Sequence, residues 1–97
     1  MPGIVYSESA LADLDRLFDF LASHDPAVAA DAAALIAEAV AILARHPYLG
    51  RPVRGVLREL VVSHGRTGYV ALYRVSVRHD RVEVLAVRRQ REAGYGG

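Results

Sequence analysis

The chain has no cysteine, no lysine and no tryptophan, and a single methionine among its 97 residues. Without cysteine there are no disulfides, no thiolate nucleophile and no zinc knuckle, and a cytoplasmic address is expected. Without lysine, any chemistry must do without a titratable lysine side chain; all 12 basic residues are arginine. Nor does the start, Met1-Pro2-Gly3, have the basic stretch and long apolar run of a secretory signal. No apolar run long enough to cross a bilayer is expected, so no membrane partner is either. What the chain does have is 53% apolar residues, enough for one core in a single domain over residues 1–97.

Charge is small in sum and uneven in distribution. Residues 1–50 hold two arginines and seven acids, a net of −5, whereas residues 51–97 hold ten arginines and four acids, a net of +6. The second half should therefore present a basic face to phosphates or to an acidic protein.

Ile4-Val5-Tyr6 reads as a short extended start. Ser7 is then an N-cap with Glu8 in the first turn, where the helix dipole favours an acid. Ala10, Leu11, Leu14, Leu17, Phe18 and Leu21 form one helical stripe, with Glu8, Asp15, Arg16 and Asp19 opposite. Asp25-Pro26 restarts the pattern, and Val28, Ala32, Leu35, Ile36, Ala39, Val40 and Leu43 trace a second stripe that Pro47 ends. The result is a helical hairpin. From Val56 the apolar pattern becomes strand-like: Val56–Ser63, Tyr69–Val77 and Val82–Arg88 are rich in Val, Leu and Tyr and joined by short turns, so they should pair antiparallel. Gly50-Arg51-Pro52 reads as the turn from helix to sheet, leaving Arg51 available for an ion pair. The expected class is α+β: an N-terminal strand, a helical hairpin, then a three-stranded antiparallel sheet with helices on one face and a basic tail over 88–97.

Two surfaces are more apolar than a monomer needs. The outer side of the second helix carries Ala27, Ala30, Ala34, Ala37 and Ala41, and the strand Tyr69–Val77 has large apolar groups on both faces. A partner is expected to cover part of each.

The four histidines, His24, His46, His64 and His79, fall at helix ends and turns with no metal-ligand spacing, so no metal or other cofactor is expected. Among the cations, Arg88, Arg89 and Arg91 form the densest run. Arg58 and Glu59 must point to opposite faces of one strand. Arg74 shares a face with Val70 and Leu72 and needs a carboxylate, possibly supplied by a partner.

Residues 44–63, Ala-Arg-His-Pro-Tyr-Leu-Gly-Arg-Pro-Val-Arg-Gly-Val-Leu-Arg-Glu-Leu-Val-Val-Ser, resemble the RelE/ParE superfamily of bacterial type II toxin–antitoxin modules. The resemblance continues through Gly68–Val75, Val82–Val87 and the stretch Arg88 to Tyr95. It implies a toxin with a small ParD-like cognate antitoxin wrapped around it, hence a hetero-oligomer. ParE-like members inhibit DNA gyrase; RelE-like members cut mRNA on the ribosome without a metal. RNA cleavage needs a group to take the 2′-OH proton, cations for the phosphorane and an acid for the leaving oxygen. Where RelE-like members have an arginine after the Gly-Tyr pair, this chain has Val70, and Val61, Val62 and Ser63 stand where basic residues are expected. Only Arg89 and Tyr95 match the catalytic pattern. The expectation is thus a ParE-like inhibitor of gyrase that binds partners through Arg58, Arg74, Arg88, Arg89 and Arg91. The alternatives are a RelE-like endoribonuclease and a relative that binds antitoxin without being toxic.

Overall fold

A computed structural model describes residues 1–64 and 67–90. Strand β1 (Gly3–Tyr6) is followed by helices α1 (Glu8–His24) and α2 (Pro26–Ala41), and a 3₁₀ turn over Ile42–Ala44. Strands β2 (Arg51–Arg54), β3 (Leu57–His64), β4 (Thr67–Ser76) and β5 (Arg81–Arg89) complete it. They form a five-stranded sheet in the order β1-β5-β4-β3-β2, with β1 parallel to β5 and every other pair antiparallel. The α+β class and the helical hairpin are as expected. The sheet is wider by two strands, because β1 joins it and the segment read as a turn is itself β2.

Local chemistry accounts for the helices. Ser7 caps α1 by accepting from the Ala10 N–H (3.0 Å), while its own N–H donates to the Val84 carbonyl (2.9 Å). Asp25 serves both helices: its N–H donates to the Leu21 carbonyl at the end of α1 (2.9 Å) and its side chain accepts from Ala27 N–H at the start of α2 (3.0 Å). Pro26 follows at the first helical position, where a missing N–H leaves nothing unpaired.

Ala10, Leu17 and Leu21 of α1 and Ala32, Ile36 and Val40 of α2 pack on Leu60, Val62, Tyr69, Tyr73 and Val84 of the sheet. The stripe of each helix is narrower than its sequence pattern, and Leu11 and Val28 face outward, 52% and 43% exposed. Contrary to the expectation of no membrane-length run, Pro26–Ala44 is 19 residues with a mean hydropathy of 2.0. Its outer side is alanine interrupted by Asp31 and Glu38; its inner side supplies Ile36, Val40 and Leu43 to the core.

β5 holds a bulge. Leu72 opposes Ala86 but Tyr73 opposes Val84, so Leu85 has no partner in the β4 ladder. Strict alternation puts residues 84 and 87 on opposite faces; the extra residue puts both Val84 and Val87 in the core, 0% and 3% exposed.

The entry to the sheet is held by one side chain. The Tyr73 hydroxyl donates to the Pro47 carbonyl (2.8 Å) and accepts from the Gly50 N–H (2.8 Å). A Cβ on Gly50 would lie 2.6 Å from the Tyr73 ring and 2.8 Å from the Glu59 carbonyl. Gly50 is therefore glycine for space; the left-handed glycine is Gly55, at φ 54°. Burial pushes the Tyr73 hydroxyl pKa above its ordinary value, opposed by the Gly50 hydrogen bond and by Arg58.

Candidate partner-binding surface

Alternation along the strands gives the sheet a helix-covered face and an open face. The open face carries Val5, Leu57, Val61 and Leu72 among charged residues, with Val5 and Val61 more than two-fifths exposed. Two acids are set into it and buried there. Glu59 on β3 accepts two hydrogen bonds from Arg51 on β2, the shorter 2.8 Å. Glu83 on β5 accepts from Arg74 on β4 (2.6 Å) and, through its other oxygen, from Arg81 (2.7 Å). The Arg74 hydrogen bond, then that of Arg81, holds the Glu83 pKa below its ordinary value. The carboxylate that Arg74 requires thus comes from its own neighbouring strand, where a partner's acid had been considered. Arg51 makes the ion pair expected of it.

Arg58 and Glu59 do point to opposite faces. Arg58 is bound into the turn before β2: its guanidinium donates to the carbonyls of Tyr48 (3.0 Å) and Gly50 (2.7 Å) and stacks 4.9 Å from the centre of the Tyr48 ring. These bonds to the chain's own backbone give Arg58 a structural use.

The remaining cations gather where α1 meets the end of β5. β1 stops opposite Val84, so β5 continues without a strand neighbour on that side among the described residues. α1 closes part of the gap: the Ser7 hydroxyl donates to the Leu85 carbonyl (3.3 Å), and Asp13 accepts from the Val87 N–H (3.0 Å). Asp13 is only 6% exposed, and its other carboxylate oxygen pairs with Arg16. Beside it lies a cleft of about 240 Å³ lined by Asp13, Arg16, Leu17, Phe20, Val87 and Arg88. The bulge sends Arg89 to the helix side, where its guanidinium stacks 4.3 Å from the centre of the Phe20 ring.

Of the residues singled out from the sequence, Arg88 and Arg89 are brought to this cleft together with Arg16, while Arg58 and Arg74 lie elsewhere. Arg91 and Tyr95 lie outside the described residues. Sequence reasoning passed over Asp13 and Phe20 and assigned Arg16 to a solvated face. A signal for Asp13 existed: the buried row of α1 runs Ala10, Asp13, Leu17, Leu21, so an acid falls inside an apolar stripe. No metal-holding group of His, Asp and Glu occurs among the described residues.

Two helices packed on one face of a five-stranded mixed sheet define a class of small α+β domain, which the following similarities specify. The family described as "ParE toxin of type II toxin-antitoxin system, parDE" matches residues 4–94, and the chain belongs to it. It is 36% identical over 92 residues to Toxin RelE3 of Caulobacter vibrioides, covering 95% of this chain and 98% of that one. To Toxin RelE1 of the same organism it is 33% identical over 72 residues, covering 74% and 77%. Among solved structures it resembles the chromosomal ParDE toxin–antitoxin system from P. aeruginosa, with a TM-score of 0.76, 27% identity and coverage of 92% and 96%. The chain is a toxin of a type II toxin–antitoxin module, and an antitoxin is its partner.

Proposed function

We propose that this toxin acts in the cytoplasm as a non-enzymatic inhibitor of DNA gyrase and is neutralised by its cognate antitoxin. The observation that carries this reading is the pairing of the open-face cations. Glu59 and Glu83 are buried in that face and engage Arg51, Arg74 and Arg81. A phosphorane needs uncommitted positive charge where the scissile phosphate lies, and carboxylates set among the cations oppose it. Tyr69 and Tyr73 lie in the core, 3% and 0% exposed, and take no part in that face.

The second reading, a ribosome-dependent endoribonuclease, is favoured by the relatives named RelE3 and RelE1 and would use Arg89 and Tyr95. Purified toxin added to gyrase in a plasmid-supercoiling assay discriminates the two. Gyrase inhibition, relieved by antitoxin, with mRNA on ribosomes left intact is the expected result. Unimpaired supercoiling together with cut mRNA would replace the first reading with the second.

A further inference from the structure

We infer that the cluster of Arg74, Glu83 and Arg81 on the open face of the sheet is an anion receptor for the antitoxin, its two guanidiniums holding one aspartate or glutamate side chain of that partner. The proposal rests on the antitoxin partner and is independent of whether gyrase is the target.

The first support is how the cluster is bonded. Arg74 stands opposite Glu83 on β4, and Arg81 two residues before it on β5, so all three side chains share the open face. Each arginine donates to Glu83 through Nε, at 2.6 and 2.7 Å, which engages both carboxylate oxygens and fixes both guanidiniums. The Nη groups, the outer fork of each guanidinium, have no protein partner among the described residues, and the two side chains stay 49% and 41% exposed. Two positive charges against one negative leave a surplus of one. A planar fork already held in place loses little freedom on binding, and it pairs well with a carboxylate through two parallel hydrogen bonds. Arg54 and Arg78, also exposed, have no carboxylate to brace them among the described residues.

The second support concerns which anion fits. A single-stranded nucleic acid brings bases that stack on aromatic rings. The tyrosines of the strands, Tyr6, Tyr69 and Tyr73, all turn to the helix side and pack in or against the core. What flanks the cluster is aliphatic: Val5 lies opposite Glu83 on β1 and is 43% exposed, and Leu57 lies opposite Arg74 on β3. Such a setting suits a single negative charge on a methylene stem, which is glutamate or aspartate. The third support is access. Gly3 stands opposite Arg81 on the edge strand β1, and a Cβ placed there would meet nothing within 4 Å. The Arg81 guanidinium is therefore open to a partner from the edge of the sheet.

The test uses the full-length toxin, purified with its cognate antitoxin and separated from it, and measures antitoxin binding by calorimetry. Arg81→Gln removes one fork and is expected to weaken binding by about 10-fold or more. Arg81→Lys keeps the charge and a donor for Glu83 but has no fork, so it should recover little of that loss; a merely structural ion pair would be restored by it. Arg78→Gln removes the same charge from an arginine outside the cluster and should weaken binding by less than about 3-fold. Each acid of the antitoxin is then replaced by its amide, alone and together with Arg81→Gln. At one position only, the loss should be much smaller once Arg81 is gone, which marks a coupled pair. Circular dichroism checks that each variant is folded, and if Arg81→Gln is not, Arg81→Lys alone decides. Equal effects of Arg81→Gln and Arg78→Gln would overturn the proposal, as would full recovery in Arg81→Lys or additive losses at every acid. Normal antitoxin binding by Arg81→Gln combined with lost gyrase inhibition would overturn it too, and assign the cluster to the target. If the unsubstituted toxin fails to bind the antitoxin, the partner assignment itself falls, and that failure is seen before any variant is compared.

Discussion

Removing one oxygen atom from the core should destabilise the toxin more than removing most of its surface ion pairs. In Tyr73→Phe the ring remains, so no cavity forms, but the Pro47 carbonyl loses its donor and the Gly50 N–H its acceptor. A neutral hydrogen bond contributes about 1 kcal/mol net, and a buried donor left unpaired costs about 1–3 kcal/mol. Gly50 is buried, so the full penalty applies at its N–H; Pro47 is half-buried, and water can replace the donor there. The sum is about 2–3 kcal/mol, a large part of the roughly 5–15 kcal/mol that holds a domain of this size together. Urea denaturation of the wild type and Tyr73→Phe, followed by circular dichroism, measures it. Amide exchange at Gly50 should also quicken, because the entry to β2 loses its clamp. A loss below about 0.5 kcal/mol with Gly50 exchange unchanged would refute the reasoning and mean that packing alone holds the turn.

Other substitutions test the same structure at separate points. Asp13→Ala should cost about 1–3 kcal/mol in the same denaturation assay, since the Val87 N–H is then buried without an acceptor, whereas Asp13→Asn keeps a carbonyl there and should cost less. Gly50→Ala should destabilise by about 1–3 kcal/mol, because its methyl group meets the Tyr73 ring and the Glu59 backbone, neither of which has room to move. Glu83 has a folded pKa below its ordinary value of 4.5, so the stability it contributes is complete above that value and is lost as pH falls through the lower folded one. Glu83→Gln should therefore flatten the acid limb of a plot of stability against pH, and an unchanged limb would show that Arg74 and Arg81 do not hold this carboxylate.

What could be read in advance depended on how local the cause was. Both helices follow from residues three or four apart together with the caps at Ser7 and Asp25, and β3, β4 and β5 from apolar runs between turns. β2 escaped because Arg-Pro-Val-Arg is exposed throughout and shows neither period. The parallel union of β1 with β5 brings together residues almost 80 positions apart, and no short-range pattern encodes it. The same holds for the site. Arg88 and Arg89 stood out as a charge run, but their setting depends on Asp13 and Phe20 of a helix far away in sequence. Arg74 was visible as a cation needing an acid; that the acid is Glu83 follows only from the strand register.

The unpartnered residue in β5 also has a consequence for how this family can diversify. The bulge takes Leu85 out of the alternation, so that Arg89 turns toward the helices and Arg88 away from them as their partners in β4 require. Loss of that one residue would leave both arginines on their present faces, because the pairs from Leu72–Ala86 to Tyr69–Arg89 already alternate regularly. A lineage could thus gain or lose this one codon without changing which cation either face of the sheet presents.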